Sequence, residues 1–213
     1  MRLYTCEGSR GLRVSWTAAE LGIALPMTML PFPPRAKARE YLAINPLGTV
    51  PALEFDGQLM TESCAIAHWL AARHDPGGLA LTTDEPDYPM FLDFIAHADA
   101  TLTFPQTVAL RFSVFERERG LEAAGEAYGD WFGKRLAKID HHLASRDYLC
   151  GGRFTVADIC IAYALWLSRM TRLSHHLTPR LTEWLETMTA REGFKTAVGR
   201  EAAEAVAQGV RAG

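Results

Sequence analysis

The stretch Asn45-Pro46-Leu47-Gly48-Thr49-Val50-Pro51-Ala52-Leu53 constrains this chain more than any other, because it sets a proline at the entrance of a strand. Proline offers no N–H to a β-ladder and is tolerated only at strand entries, edges or bends. Two geometries are open to Val50-Pro51. One is an ordinary trans entry; the other is a cis bond that turns the polar groups of Val50 outward, where an extended peptide could pair with them. Asp56-Gly57 follows and predicts a tight hairpin between strands at 52–55 and 59–60.

The rest of the first eighty residues alternates in the same way. A strand is expected at 2–5, then the glycine-rich loop Cys6-Glu7-Gly8-Ser9-Arg10-Gly11. Leu12, Trp16, Ala19 and Leu21 recur at helical spacing, with Gly22 as a stop. A half-exposed strand at 25–30 and a short helix over 36–42 precede the hairpin. Ile66, Trp69 and Leu70 lie on one face of an amphipathic helix over 63–72. Breaker-rich, acidic segments follow, Asp75-Pro76-Gly77-Gly78 and Asp84-Glu85-Pro86-Asp87, and beyond them strand signals end. Helices are expected over 90–115, kinked at Pro105, and over 121–143 with Trp131, Leu136 and Ile139 inward. At Phe154-Thr155-Val156-Ala157-Asp158-Ile159 a capping box opens a helix, with Asp158 as its acid and Phe154 and Ile159 as its hydrophobic staple. Leu181, Trp184, Leu185 and Met188 mark a last helix. The division predicted is an α+β domain over 1–76, a linker over 77–88 and an all-helical domain over 89–213.

Composition narrows the function. The 213 residues are 48% hydrophobic with a net charge of -3, which suits a globular protein and gives no general attraction for nucleic acid or anionic lipid. Eighteen of the 22 basic residues are arginine, so a local anion site remains open. No apolar run reaches the length of a membrane span, and Met1-Arg2-Leu3-Tyr4 enters a strand instead of a signal-peptide core. A cytoplasmic location and no membrane partner are expected. Cys6, Cys64, Cys150 and Cys160 form no Cys-x-x-Cys pair, and the pairs His141-His142 and His175-His176 lack metal-ligand spacing. Neither a disulfide framework nor a metal site is expected. Hydrolytic, phosphate-loop and dinucleotide motifs are missing as well.

The motifs at 45–53, Glu62-Ser63-Cys64-Ala65-Ile66 and Phe154-Thr155-Val156-Ala157-Asp158 together resemble a cytosolic glutathione transferase of bacterial type, in the right order and over nearly the full length. The resemblance implies a thioredoxin-like βαβαββα domain that binds glutathione, an all-α domain that supplies a hydrophobic substrate pocket, and a homodimer. It implies that Val50, beside Thr49 and ahead of a cis Pro51, pairs with the cysteinyl backbone of glutathione, while Glu62 and Ser63 hold the γ-glutamyl end. Lys37 or Arg39 would meet the glycyl carboxylate. Asp99 reads either as a solvated helix acid or as a contact across a dimer to the ligand's amino group.

Family members carry a Tyr, Ser or Cys ahead of the first helix to activate the thiol. Here the loop offers Ser9, the best match with an offset, and Cys6 and Arg10 as alternatives. Ser9 also reads as a helix cap. Cys6-Glu7-Gly8-Ser9 has the spacing of a monothiol redox site, against which stands a buried strand-end thiol. Phe104, Phe112 and Trp166 read as pocket aromatics or as core. The activities implied are conjugation of glutathione to a small hydrophobic electrophile, glutathione-dependent thiol reduction or isomerisation, or a non-catalytic glutathione-binding module on the same fold.

Overall fold

The computed structural model describes residues 1–211 and divides into two compact units, Met1–Pro76 together with the segment from Ala190 onward, and Gly77–Thr189. The helical domain expected to run to the C-terminus therefore stops short of it. In the first unit, β1 (Arg2–Thr5), α1 (Leu12–Glu20), β2 (Met27–Met29), α2 (Pro34–Lys37), β3 (Ala52–Phe55), β4 (Gln58–Met60) and α3 (Ser63–His74) follow in order. A 3-10 turn over Arg39–Ala43 extends the weak second helix.

The sheet order is β2-β1-β3-β4, with β2 parallel to β1 and the other pairs antiparallel. Alternation along the strands sends side chains to two separate cores. Leu3, Leu53, Met27 and Met29 join Val14 and Ala18 of α1 and Ile66 and Leu70 of α3. Their neighbours Tyr4 and Ala52, register partners across β1 and β3, join Cys6, Leu30, Ala38 and Tyr41 on the other side.

The helix α9 (Glu192–Ala207) has no counterpart in the sequence-based expectation and completes the first core through Ala205. The indole of Trp16 packs edge-on to Phe194 with centroids 4.9 Å apart, and Arg191 makes two bonds to Glu20, at 2.8 and 2.9 Å. Gln208 reaches β2, accepting from Met29 N–H at 2.9 Å and donating to the Met27 carbonyl at 3.0 Å.

The second unit holds α4 (Tyr88–His97), α5 (Phe104–Leu110), α6 (Glu122–His142), α7 (Val156–Met170) and α8 (Pro179–Thr189). The bend expected at Pro105 takes the form of a π turn over Ala98–Thr103 just before it. Pro105 has no N–H to donate back one turn, and the wider turn accommodates that loss. Thr103 Oγ1 donates to the Ala98 carbonyl at 2.7 Å in the same turn. On α6 the buried stripe is Gly125, Gly129, Phe132, Leu136 and Ile139, so Trp131, expected inward, is instead 43% exposed. One residue of offset is about 100° of rotation, enough to carry the indole off the buried face. His142, the last residue of α6, closes on the Leu149 carbonyl at 2.7 Å.

At the start of α7 the capping box forms, with the Thr155 N–H donating to Asp158 Oδ2 at 2.8 Å. Asp158 is fully buried and also accepts from Leu149 N–H at 2.9 Å and Thr155 Oγ1 at 2.9 Å. Removing its carboxylate in Asp158→Ala orphans two buried N–H groups and is expected to cost about 2–5 kcal/mol in chemical denaturation. In the sheet, Leu53→Ala empties a fully buried site between both core helices and is expected to cost about 2–5 kcal/mol by the same measurement. Burial raises Asp158 to about 6, partly offset by its three hydrogen bonds. Its native pKa thus lies above the unfolded one, so its contribution is complete below about pH 4 and is lost as pH rises through about 6. Denaturation midpoints between pH 4 and 8 should fall more for the parent than for Asp158→Asn.

Candidate functional site

Three segments of the first unit converge at one end of its sheet, and the topology dictates it. β1 and β3 run antiparallel with Tyr4 opposite Ala52, so the loop leaving β1 and the segment entering β3 lie side by side. Val50 packs against the same cluster that contains Tyr4 and Cys6. The third segment, Glu62-Ser63, is tied to α1 by the fully buried Arg13, whose Nη1 donates to Ser63 Oγ at 2.9 Å.

The segment entering β3 is built by Asn45 and Tyr41. Asn45 Nδ2 donates to the Thr49 carbonyl at 2.9 Å and to Thr49 Oγ1 at 3.2 Å, and Tyr41 Oη donates to the same carbonyl at 2.8 Å. The Gly48 N–H closes a turn on the Asn45 carbonyl at 2.9 Å. Gly48 has φ +61°, and a Cβ there would fall 2.7 Å from Arg35 Cβ, so only glycine fits. With the Thr49 carbonyl so held, Val50 follows through a cis peptide to Pro51. Among the described residues the N–H and C=O of Val50 find no partner within the chain. Thr49 is exposed, Val50 half-buried and Pro51 buried.

Glu62 stands at the N-terminal cap position of α3, its carbonyl accepting from Ile66 N–H at 2.8 Å, with its side chain in an exposed position. Ser63, the first helical residue, is buried. A helix N-terminus, a serine hydroxyl and a buried guanidinium form a locus that favours a carboxylate. Lys37 and Arg39 are both exposed, Lys37 at the end of α2.

The loop after β1 is a turn in which the Ser9 N–H bonds the Cys6 carbonyl at 3.1 Å and Gly8 takes φ +66°. This is a type II turn, which demands positive φ at its third residue. Ser9 Oγ accepts from Gly11 N–H at 3.3 Å and shares a hydrogen with Thr5 Oγ1 at 3.2 Å. Gly11, not Ser9, occupies the cap position of α1. A Cβ on Gly11 would lie 1.9 Å from Thr5 Oγ1, so the loop presses on the end of β1 only because this residue is glycine. Cys6 is buried, and burial together with the nearby Glu201 carboxylate pushes its thiol up to about 12. A thiol held in that form is a poor nucleophile, which weighs against the redox reading of Cys6-Glu7-Gly8-Ser9. Arg10 follows Ser9 and precedes the helix cap.

In the second unit, Phe104 is 52% exposed and lines a cleft of about 250 Å³ with Ala100, Thr101, Pro105, Trp131 and Arg135. Phe112 and Trp166 are half-buried and line other surfaces: the Arg111 guanidinium lies 5.7 Å from the Phe112 ring, and Trp166 packs on Tyr163 at 6.0 Å. Asp99, half-buried, falls in the π turn. Among the described residues no group of three or more His, Cys, Asp or Glu could hold a metal, no helix is long and apolar enough to cross a membrane, and all four cysteines are free.

Sequence reasoning missed Glu201 on α9, which is 1% exposed and accepts from Gly8 N–H at 2.9 Å and Ser15 Oγ at 2.7 Å. The only signal was a charge at helical spacing from Phe194, Ala197 and Ala205, the other buried positions of that helix.

Comparison with known proteins agrees with this geometry. A family model described as "Glutathione S-transferase, N-terminal domain" matches residues 9–73, and one described as "Glutathione S-transferase, C-terminal domain" matches residues 107–192. "Glutathione S-transferase 3" of Zea mays is 28% identical over 172 residues, spanning 76% of each chain. "Elongation factor 1-gamma" of Danio rerio is 27% identical over 192 residues, spanning 88% of this chain and 42% of that protein. The solved structure of a sphingomonad glutathione S-transferase complexed with glutathione shares the fold with a TM-score of 0.81 at 23% identity, covering 95% of this chain and 99% of that one. Both domain models fall in order on one chain, and the chain belongs to the glutathione S-transferase family.

Proposed function

We propose that the protein is a glutathione transferase, in which the thiolate of glutathione attacks a small hydrophobic electrophile, a new C–S bond forms and the leaving group departs with the electron pair. The observation that carries this is the pair of backbone groups on Val50, held open beside the carboxylate-favouring locus of Ser63 and Arg13. An extended cysteinyl residue would use both groups of Val50 in the manner of an added strand. The γ-glutamyl carboxylate would sit at Ser63 and Glu62, and Lys37 or Arg39 would meet the glycyl end.

Ser9 is the group we assign to the sulfur. Gly11 N–H already occupies one lone pair of its Oγ, which leaves the hydroxyl hydrogen to turn from Thr5 Oγ1 to a bound thiolate. An unperturbed thiol, pKa about 8.5, is a few per cent ionised at neutral pH, and one charge-assisted hydrogen bond of about 2 kcal/mol lowers it by about 1.5 units. Arg10 and the N-terminus of α1 add positive potential. The electrophile is assigned to apolar groups of the second unit, with Phe104, Phe112 and Trp166 as candidates, and a homodimer and a cytoplasmic setting complete the reading.

A second reading is suggested by the elongation factor relatives: a glutathione-binding or interaction module without turnover. The ultraviolet thiolate band of bound glutathione, titrated against pH, separates the two. The parent is expected to lower the thiol pKa by about 1.5 units and Ser9→Ala to return about 1 unit or more of it. Binding with an unshifted thiol favours the module, an unchanged shift in Ser9→Ala removes the serine from the mechanism, and no binding at all overturns the transferase reading. Ser63→Ala is expected to weaken glutathione about tenfold in calorimetry, the loss of one charge-assisted contact.

A further inference from the structure

Glu201 is the one buried acid of the first unit that the proposed chemistry leaves unused, and it touches the loop that carries Ser9. In a type II turn the amide of the third residue points away from the closing bond and needs an acceptor from elsewhere. Glu201 Oε2 meets that need at Gly8, 2.9 Å away, while Oε1 takes the Ser15 hydroxyl of α1 at 2.7 Å. One carboxylate on α9 thus spans the turn on one side of Ser9 and the helix on the other. The Glu7 side chain is held by a second anchor from beyond the same helix, the guanidinium of Arg211.

We infer that Glu201 is a positioning residue for thiol activation: its carboxylate fixes the Gly8 amide, and through it the turn that presents Ser9 Oγ to the sulfur. The inference rests on the transferase reading for its catalytic consequence. An ionised carboxyl accepts both donors at once, whereas protonation gives one oxygen a hydrogen of its own and weakens the hold on Gly8. Burial raises the Glu201 pKa to about 7, opposed by the Ser15 and Gly8 hydrogen bonds and reinforced by the negative Glu7. The other charged or titratable groups near α9 leave this balance in place. Cys6 is held neutral, Arg211 is paired with Glu7, Arg13 bonds Ser63, and Glu20 is paired with Arg191. β2, also packed on α9, presents only Met27, Thr28 and Met29.

The test follows the Gly8 amide in nitrogen–proton NMR spectra of the full chain from pH 5 to 9, in the parent, Glu201→Gln and Ser15→Ala. The parent signal is expected to titrate with a midpoint near 7, and the signal in Glu201→Gln to stay level across the range. Ser15→Ala keeps the acid but removes a donor to its charged form, so the midpoint should rise by about 1 unit. In parallel, Glu201→Gln should lower kcat toward an electrophilic nitroaryl halide about tenfold while the glutathione Kd stays within about twofold, as expected when an interaction made in the transition state is lost. A Gly8 amide that behaves alike in parent and Glu201→Gln, or a Glu201→Gln kcat equal to the parent's, overturns the inference. So does an equal weakening of Kd and kcat, the mark of general loosening. If the parent binds no glutathione, the transferase reading and the kinetic consequence fall, and the amide titration still decides whether Glu201 holds the turn.

Discussion

The position of β1 at the centre of the sheet is the constraint on which the first unit depends. Flanked by β2 and β3, the strand has apolar side chains on both faces and must be covered twice. Three helices, α1, α3 and α9, cover the Leu3 face, and the segment around Ala38 and Tyr41 covers the Tyr4 face. Because β3 returns antiparallel, every connection at the C-terminal end of β1 meets the entrance of β3. The unit cannot bury its central strand without bringing the Ser9 loop to Val50.

Once the backbone arrives there, polar groups decide the detail. The loop before β3 spends its side chains on itself: Asn45 and Tyr41 hold the Thr49 carbonyl, and Val50 is left open to a partner. The loop after β1 is handled differently, with help from distant sequence. Gly8 relies on Glu201, 193 positions away along the chain. Two unusual buried charges therefore border the same region, a guanidinium on Ser63 and a carboxylate on Gly8. Each is tolerated because it is hydrogen-bonded, the guanidinium to Ser63 and the carboxylate to Gly8 and Ser15.

Features written in short stretches were legible in the sequence. Asp56-Gly57 gave the hairpin, Thr155 with Asp158 gave the start of α7, and the 45–53 motif pointed to Val50 and Pro51, because each is a local pattern of a few residues. Trp131 shows where such patterns mislead. The buried stripe of α6 contains Gly125 and Gly129, which carry no apolar signal, so a large indole one position from Phe132 drew the periodicity to the wrong face. Helix α9 escaped notice for a related reason. Its buried face is made of Phe194, Ala197, Glu201 and Ala205, a stripe too small and too polar to register as amphipathic.

The sequence by itself determined the order of elements as far as α8 and the three motifs that identify the family, since turn chemistry, capping and periodicity act within a few residues. Tertiary structure alone decided that the last helix belongs with the first unit, that Cys6 is a neutral buried thiol, and that Glu201 and Arg13 lie against the loops at Gly8 and Ser63. Burial and long-range hydrogen bonding set those outcomes, and both depend on which surfaces meet, which no local pattern encodes.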